Sequence, residues 1–370
     1  MSDKFDKYLE EEEHFLKDTK KSRKQRKLKS SKDRSKYKKT DIQKSKIVSP
    51  TKNESKKHLD KGVVLSILGE EILVSFNKKE YKCTLRGILK KEKTKNKNIL
   101  AVGDIVNISF KNDKEASIES IDKRYSILSR LEARTKKQSI IAVNIDQVLI
   151  TSSVVKPHLK PFLIDRYIIA CTKGNMSPVI IINKIDLLKL GKEEEEEEKY
   201  KNFLKIYEEL GYLILSISCK TKIGLNSLLN VMKGKTSVFS GQSGCGKTTL
   251  INSVLHTKFK TGELIKKTYK GAHITTKSQL IELKKGGFCV DTPGIKGFGI
   301  WDLEMEDLKN HFFEFENFAK NCKFGDCKHI DEPSCKVKEA LDKNKISFLR
   351  FEAYRCLIKE ILEKKESLYE

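Results

Sequence analysis

The residues with the clearest chemical meaning lie in the run GQSGCGKTT at 241–249, which has the spacing G-x-x-x-x-G-K-[ST]. Glycines in such a run let backbone N–H groups face a phosphate at the start of the next helix. Lys247 would reach the β- and γ-phosphates, and the Thr248 hydroxyl would coordinate Mg²⁺. An apolar run, TSVFS, precedes the loop, and a helical pattern follows it. The predicted phosphate-binding residues are Gly241, Gln242, Ser243, Gly244, Cys245, Gly246, Lys247, Thr248 and Thr249.

Two upstream motifs have the composition of a guanine-reading site. In NKID, at 183–186, the Asp186 carboxylate can accept hydrogen bonds from guanine N1–H and N2–H, and adenine offers no such pair of donors. The Asn183 amide can donate and accept at the base edge, and the stem of Lys184 can pack over the base. The run SCK matches the short loop whose backbone supports the guanine in GTPases; its residues are Ser218, Cys219 and Lys220.

A fourth motif, DTPG at 291–294, completes the set. Asp291 would hold Mg²⁺ through a water molecule, and the Gly294 amide would contact the γ-phosphate. Each of the four motifs comes at the end of an apolar strand pattern, where α/β sheets bind their ligands. The sequence therefore predicts a GTP site with magnesium, in preference to an ATP site.

The order of the motifs, NKID, SCK, GQSGCGKT and DTPG, is a rotation of the usual GTPase order. A circular permutation explains it, because the chain ends of a compact domain often lie close together. The joint would be the stretch Lys233 to Ser237. The new end of the domain falls just after DTPG, so the C-terminal part is attached to a segment that responds to the γ-phosphate. We expect hydrolysis to move that part.

The C-terminal part contains the spacing Cys-x4-Cys-x-His-x5-Cys within 14 residues. Three thiolates and one imidazole form a closed tetrahedral Zn²⁺ set, which is typical of a structural site. The alternatives are a redox role and a chance cluster. The predicted zinc ligands are Cys322, Cys327, His329 and Cys335.

Apolar periodicity divides the chain into four regions. Five short β runs after Gly62 are typical of a small OB-fold barrel. Longer apolar runs that alternate with helical patterns from about Ile140 indicate a parallel sheet in an α/β domain. The predicted regions are a disordered basic extension (1–60), an RNA-binding OB-fold β-barrel (61–126), a circularly permuted P-loop α/β GTPase domain (138–300) and a C-terminal helical zinc-binding domain (301–370).

The charge balance favours an anionic partner, most often nucleic acid. The net charge is +24, of which residues 20–57 contribute +14. A Lys-rich proteome and a solubilising tail are the alternatives. The acidic run at 193–198 is interpreted as the solvated face of a helix. No apolar run approaches a membrane span and the N-terminus lacks the apolar core of a signal peptide, so we expect a cytoplasmic protein with reduced thiols and no membrane partner. Nothing in the sequence indicates obligate assembly, so we expect a monomer.

These motifs together resemble the bacterial ribosome small-subunit-dependent GTPase A (RsgA) family. The resemblance covers roughly residues 62–365 and rests on the barrel pattern, NKID, GQSGCGKTTL, GAHITT, DTPGIKGFGIW and CKFGDCKHIDEPSC. It implies a GTPase that binds the small ribosomal subunit and its rRNA late in assembly. It further implies help in maturing the decoding region, stimulation by the subunit and release on GTP hydrolysis.

The resemblance also assigns the catalytic residues. His273 in GAHITT matches the histidine that the family is thought to use to position the attacking water. Thr275 matches the first-switch threonine that contacts Mg²⁺ and the γ-phosphate, although Thr276 fits equally well. Ras-like enzymes place a glutamine after D-x-x-G, where this chain has Ile295, which cannot orient water. With Lys247, His273 and Thr275 form the predicted catalytic set.

Two other functions remain open from sequence. The first is a nucleotide-dependent RNA-binding protein with negligible hydrolysis, which Ile295 favours. The second is a metabolic P-loop enzyme such as a small-molecule kinase, which NKID and the basic extension oppose.

Overall fold

A computed structural model describes residues 59–87, 89, 99–131, 138–190, 194–255, 278–291 and 303–369. Residues 1–58 of the predicted basic extension, His273, Thr275, Thr276 and Gly294 lie outside these residues. None of the helices within the described ranges is long and apolar enough to cross a membrane.

A closed five-stranded barrel forms the first part of the described chain. Its strands follow the order β1-β2-β3-β5-β4, with β3 and β5 parallel and the other pairs antiparallel. Alternate side chains point inward, as the period of two in a strand requires, and form an apolar core. The OB-like barrel is therefore confirmed. Its strands are β1 (Asp60–Leu68), β2 (Glu71–Phe76), β3 (Lys79–Leu85), β4 (Ile105–Phe110) and β5 (Glu115–Ile121).

A two-stranded antiparallel ribbon, β6 (Ile127–Leu131) and β7 (Gln138–Val143), follows the barrel; the sequence patterns did not predict it. Gly103 packs against its end: a Cβ built on this glycine would lie 2.1 Å from the Val143 carbonyl oxygen. The buried Asp104 carboxylate accepts a 2.7 Å hydrogen bond from Nε of Arg124. These contacts join the barrel to the ribbon closely, and Leu65 of the barrel is part of the core of the next domain.

The nucleotide-binding region is a six-stranded sheet in the order β10-β9-β8-β11-β13-β12, in which only the edge strand β12 is antiparallel. Helices follow β8, β9 and β10 as crossover connections between parallel strands, and a fourth helix follows β11. The central strands are buried on both faces, which explains their continuous apolar runs. The strands are β8 (Gln147–Ser153), β9 (Ser177–Asn183), β10 (Ile214–Ser216), β11 (Thr236–Gly241), β12 (Gln279–Glu282) and β13 (Phe288–Asp291). The helices are α1 (Pro161–Lys173), α2 (Glu194–Glu209), α3 (Leu225–Met232) and α4 (Lys247–Leu255), with a 3-10 turn at Ile185–Leu190.

The permutation joint is short. Helix α3 ends at Met232 and β11 begins at Thr236, so only residues 233–235 connect the two halves of the motif set. The turn packs tightly, because a Cβ on Gly287 would lie 2.6 Å from the Lys235 carbonyl oxygen. Strand β11, which leads into the phosphate loop, lies between β8 and β13 at the middle of the sheet.

The acidic run begins α2, where four glutamates in the first turn suit the positive end of the helix dipole. The prediction of a solvated face is wrong at Glu196, which is only 8% exposed. This carboxylate lies 3.2 Å from Nδ1 of His158 and 3.4 Å from Nζ of Lys199. The neighbouring Glu195 and Glu197 form ordinary surface pairs with lysines one turn later.

A helical C-terminal unit completes the fold. Its core is apolar and includes Phe312, Phe351 and Leu357, with Ile169 of α1 packed into it. The helices are α5 (Met305–His311), α6 (Glu316–Ala319), α7 (Lys336–Asp342) and α8 (Phe348–Tyr369), with a 3-10 turn at Phe313–Phe315. The C-terminal region is therefore helical, as the sequence predicted.

Candidate nucleotide site and metal centre

The phosphate loop connects the end of β11 to the first residue of α4. Gly241 has φ +138°, and a Cβ there would lie 1.9 Å from the Thr151 carbonyl oxygen of β8. A Cβ on Gly246, at φ +96°, would lie 2.4 Å from Nδ2 of Asn183. Any side chain at these two positions would displace the neighbouring strand end, so the motif glycines are required by close packing as well as by backbone conformation.

The Lys247 ammonium group lies inside the curve of this loop. Its Nζ donates hydrogen bonds to the carbonyl oxygens of Gly241 at 2.7 Å and Gln242 at 2.6 Å. The cation is therefore held at the open end of α4, where the backbone N–H groups of the helix start also favour an anion. From this position the Lys247 ammonium group can contact a bound phosphate without a large movement of the side chain.

Asn183 and Lys184 contact the phosphate loop directly. The Asn183 amide donates to the Cys245 carbonyl at 2.9 Å, and its oxygen accepts the Lys184 backbone N–H at 2.8 Å. The Lys184 ammonium donates to the Gly244 carbonyl at 2.8 Å and also to the carbonyl of Lys156. The predicted base-reading and phosphate-binding motifs are thus joined into one unit.

Asp186 and Ser218 lie together at the neighbouring strand ends. The Ser218 hydroxyl donates to the Asp186 carboxylate at 2.6 Å and accepts the Thr221 backbone N–H at 3.1 Å. Burial raises the pKa of the next thiol, Cys219, and hydrogen bonds with Ser253 and Asn183 oppose this. The serine fixes the orientation of a carboxylate that the sequence assigns to guanine, while Lys220 is exposed beside it.

The remaining predicted residues are only partly described. Ser243 and Thr249 are exposed on the loop and helix, and Thr248 is half-buried at the start of α4. Asp291 is the last residue of β13, beside β11, so its backbone lies at the correct edge of the sheet.

One contributor was missed by the sequence reasoning. The segment after β8 supplies the Lys156 carbonyl, and Pro157 Cδ would lie 3.7 Å from a Cβ on Gly244. The sequence signal that could have identified this segment is its position directly after an apolar strand, because the ends of the neighbouring strands carry nucleotide-binding motifs.

The four predicted zinc ligands are brought together by the loop between α6 and α7. Sγ of Cys322 lies 4.0 Å from Sγ of Cys335 and 3.7 Å from Nδ1 of His329, and Cys335 Sγ lies 3.4 Å from that nitrogen. All four ligand atoms, including that of Cys327, lie within 4.8 Å of one another. A tetrahedral site with metal–sulfur bonds of about 2.3 Å has ligand separations of roughly 3.8 Å, so the donor set fits such an ion.

Without a cation the cluster disfavours thiolates and favours a neutral imidazole, so a metal ion would have to displace the thiol protons but would find the imidazole ready to bind. Burial, with the nearby Cys335 and Cys322, raises the pKa of the Cys327 thiol to about 12. Burial lowers the pKa of His329, which keeps its imidazole neutral and able to bind metal through Nδ1. Glu332 braces the loop by accepting the backbone N–H groups of Lys328 at 2.8 Å and Ile330 at 3.0 Å.

Comparison with known proteins agrees with this architecture. A family model described as RsgA GTPase matches residues 121–301. The small ribosomal subunit biogenesis GTPase RsgA of Haemophilus influenzae (strain 86-028NP) is 36% identical over 290 residues, covering 77% of this chain and 80% of the relative. RsgA 2 of Bacteroides thetaiotaomicron is 34% identical, covering 81% of this chain and 96% of the relative.

Solved structures show the same fold. YjeQ from Thermotoga maritima superposes with a TM-score of 0.64 at 32% identity, covering 82% of this chain and 99% of that chain. YloQ, titled a circularly permuted GTPase, superposes with a TM-score of 0.63 at 27% identity, covering 83% and 96%. The predicted fold of OB-like barrel and permuted GTPase domain, followed by a unit with a Cys/His cluster, is confirmed, and the chain belongs to the RsgA family of GTPases.

Proposed function

We propose that this protein hydrolyses GTP during biogenesis of the small ribosomal subunit, at the site formed by the ends of β8, β9, β11 and β13. One observation carries the proposal most strongly: Asn183 and Lys184 of the guanine motif hydrogen-bond to carbonyls of the phosphate loop. These bonds hold the residues that would read the base against the loop that would bind the phosphates. The relatives named above as small ribosomal subunit biogenesis GTPases supply the biological setting.

Recognition of GTP would divide between two groups of residues. Asp186, oriented by Ser218, would accept N1–H and N2–H of guanine, and the 218–220 backbone would support the ring. Lys247 and the N–H groups of 241–249 would hold the β- and γ-phosphates. Mg²⁺ would neutralise phosphate charge, with Thr248 as a direct ligand, Asp291 acting through water and Thr275 joining from the first switch.

The attacking water needs a partner other than the residue after DTPG, because Ile295 has no polar group. We assign this role to His273, whose imidazole can accept a proton or orient water. Thr275 would contact the γ-phosphate, and the Gly294 amide would sense it. These assignments rest on the match of GAHITT and DTPG to the family motifs.

Zinc would occupy the cluster of Cys322, Cys327, His329 and Cys335 in a structural role. Three thiolates and an imidazole leave no open coordination position, so the ion would stabilise a short loop-rich unit and take no part in hydrolysis.

The small ribosomal subunit is the proposed partner, contacted mainly through rRNA phosphates. The barrel (61–126), the basic extension (1–60) and the zinc-binding unit (301–370) would form the docking surface, and the excess of 24 positive charges favours such a ligand. Affinity should then fall steeply with salt. We further propose that the protein assists maturation of the decoding region as a cytoplasmic monomer and leaves when GTP is hydrolysed.

Replacing one carboxylate oxygen of Asp186 by an amide N–H₂ group tests its assignment to guanine. In Asp186→Asn the side-chain N–H₂ can no longer accept guanine N–H groups, but it can donate to the carbonyl at C2 of xanthine. We expect GTP binding to fall by at least tenfold and XTP binding to rise, while the oxygen of the new amide still accepts from Ser218. Lys222→Ala, an exposed change in the loop that follows the SCK motif, is the control. Unchanged GTP binding in Asp186→Asn would contradict the assignment.

The second candidate function is that of an RNA-binding protein that binds GTP but hydrolyses it negligibly. The apolar Ile295, which cannot orient a water molecule, favours it. It predicts that GTP and small subunits promote each other's binding while the rate of phosphate release stays at the background level. Measured turnover above that level, abolished in Lys247→Ala, would exclude it.

A further inference from the structure

The Lys184 ammonium group is held by two carbonyl groups that belong to different segments of the chain. It donates to the Gly244 carbonyl of the phosphate loop at 2.8 Å, and to the Lys156 carbonyl in the turn 154–158 that follows β8. A lysine stem is flexible, and two bonds at its end restrict the directions that it can take. The direction of the stem that would pack over guanine therefore depends on where the Lys156 carbonyl points.

A buried serine closes the turn after β8. Ser153 is the last residue of β8 and is fully buried, and its hydroxyl donates to the Pro157 carbonyl at 2.7 Å. The Val154 N–H donates to the Asn183 carbonyl at 3.2 Å, and the side chains of Val154 and Val155 lie in the main apolar core of the domain. These contacts fix the turn on both sides of its exposed residue, at position 156.

The two lysines that meet here have backbone conformations that are uncommon for residues with a side chain. Lys156 has φ +51° and Lys184 has φ +64°, both in the left-handed region. Such conformations are less favourable than right-handed ones and persist where the surrounding contacts determine them. At Lys156 those contacts include the bond from Lys184 and, across the turn, the bond from Ser153 to the next carbonyl.

We propose that Ser153 is a positioning residue for guanine binding. Its hydroxyl closes the turn, the closed turn directs the Lys156 carbonyl, and that carbonyl holds the Lys184 side chain where it can cover the base. The inference rests on the proposed nucleotide site, and it adds to that site a buried residue outside the four nucleotide motifs.

Titration of Ser153→Ala with GDP tests the proposal, because the substitution removes only the hydroxyl. We expect GDP affinity to fall by roughly fivefold, which corresponds to the loss of one ordinary hydrogen bond.

Ser126→Ala is the matched control. Ser126 is 2% exposed, and its hydroxyl donates to the Ile145 carbonyl, also at 2.7 Å, and accepts the N–H of the same residue at 2.6 Å. Ile145 precedes β8, whereas Ser153 ends it, so the control removes a similar buried hydroxyl at the other end of the strand. Ser126→Ala should lower the unfolding midpoint at least as far as Ser153→Ala does and leave GDP affinity unchanged.

A double-mutant cycle tests whether Ser153 acts through Lys184. Lys184→Met retains an apolar stem and removes the ammonium group. In that background Ser153→Ala should change GDP affinity by less than about twofold, because the bond to the Lys156 carbonyl is already gone.

Unchanged GDP affinity in Ser153→Ala, or an equal loss with and without the Lys184 ammonium group, would overturn the role of Ser153 alone. The same result would follow if Ser126→Ala weakened GDP binding as much as Ser153→Ala, because the loss would then reflect general destabilisation. Failure of the wild-type chain to bind GDP would overturn the nucleotide site, and the role of Ser153 with it.

Discussion

Replacing Asn183 by alanine should weaken GDP and GTP binding without removing a group that the sequence assigns to the phosphates. Its amide group donates to the Cys245 carbonyl of the phosphate loop at 2.9 Å, and its oxygen accepts the N–H of the adjacent Lys184, within the strand end itself, at 2.8 Å. It is 2% exposed, so water cannot easily replace either partner. The mutation therefore separates loop positioning from phosphate contact.

The magnitude follows from the one bond that joins the strand end to the loop. A typical intramolecular hydrogen bond contributes about 1 kcal/mol net, so the loop and the strand end lose about 1 kcal/mol of mutual stabilisation. If nucleotide binding must restore that arrangement, affinity falls by roughly fivefold, since 1.4 kcal/mol corresponds to a factor of ten. Titration with a fluorescent GDP analogue measures this directly, and Asn226→Ala, an exposed asparagine on α3, is the control.

A change of less than about twofold in Asn183→Ala would refute the reasoning, because it would mean that the phosphate loop is held in its binding conformation without the guanine motif. Loss of binding in Asn226→Ala as well would indicate a general effect on the sheet.

Three further predictions follow from single contacts. Gly246→Ala places a Cβ 2.4 Å from Nδ2 of Asn183, so GDP affinity should fall by tenfold or more while far-UV circular dichroism stays unchanged. Glu332→Gln weakens the acceptor for two backbone N–H groups beside His329, so a chelator should remove zinc from the variant about ten times faster than from the wild type. Burial alone would raise the pKa of Asp165, but Arg350, His311 and Tyr207 outweigh it and lower the pKa. Its stabilisation is therefore present above the ordinary aspartate pKa and is lost as pH falls through the lowered value; Asp165→Asn should lower the unfolding midpoint at pH 7 and lower it less at pH 3.

The nucleotide site was predictable because its residues sit at strand ends. Parallel strands bring their carboxyl ends to one edge, so NKID, the phosphate loop and Asp291 had to meet once the strands were assigned. The cysteine–histidine cluster was predictable for a different reason, since its four ligands lie close in the sequence as well as in space.

Contacts between distant helices could not be predicted in the same way. Asp165 and Arg350 are 185 residues apart, and each occupies a helix whose pattern gives no sign that a charge is buried. Glu196 was hidden within a run of glutamates that looks uniformly solvated. The β6–β7 ribbon was missed because its strands are short and a polar stretch, 132–137, separates them. In each case the deciding information is tertiary packing.

The rate of GTP hydrolysis with and without purified small ribosomal subunits tests the central claim most directly. We predict slow turnover by the protein alone, strong stimulation by subunits that declines with added salt, and loss of the stimulated rate in both Lys247→Ala and His273→Ala. Stimulation that persists in His273→Ala would move water positioning to another group. Absence of stimulation at every salt concentration would contradict the proposed role in small-subunit biogenesis.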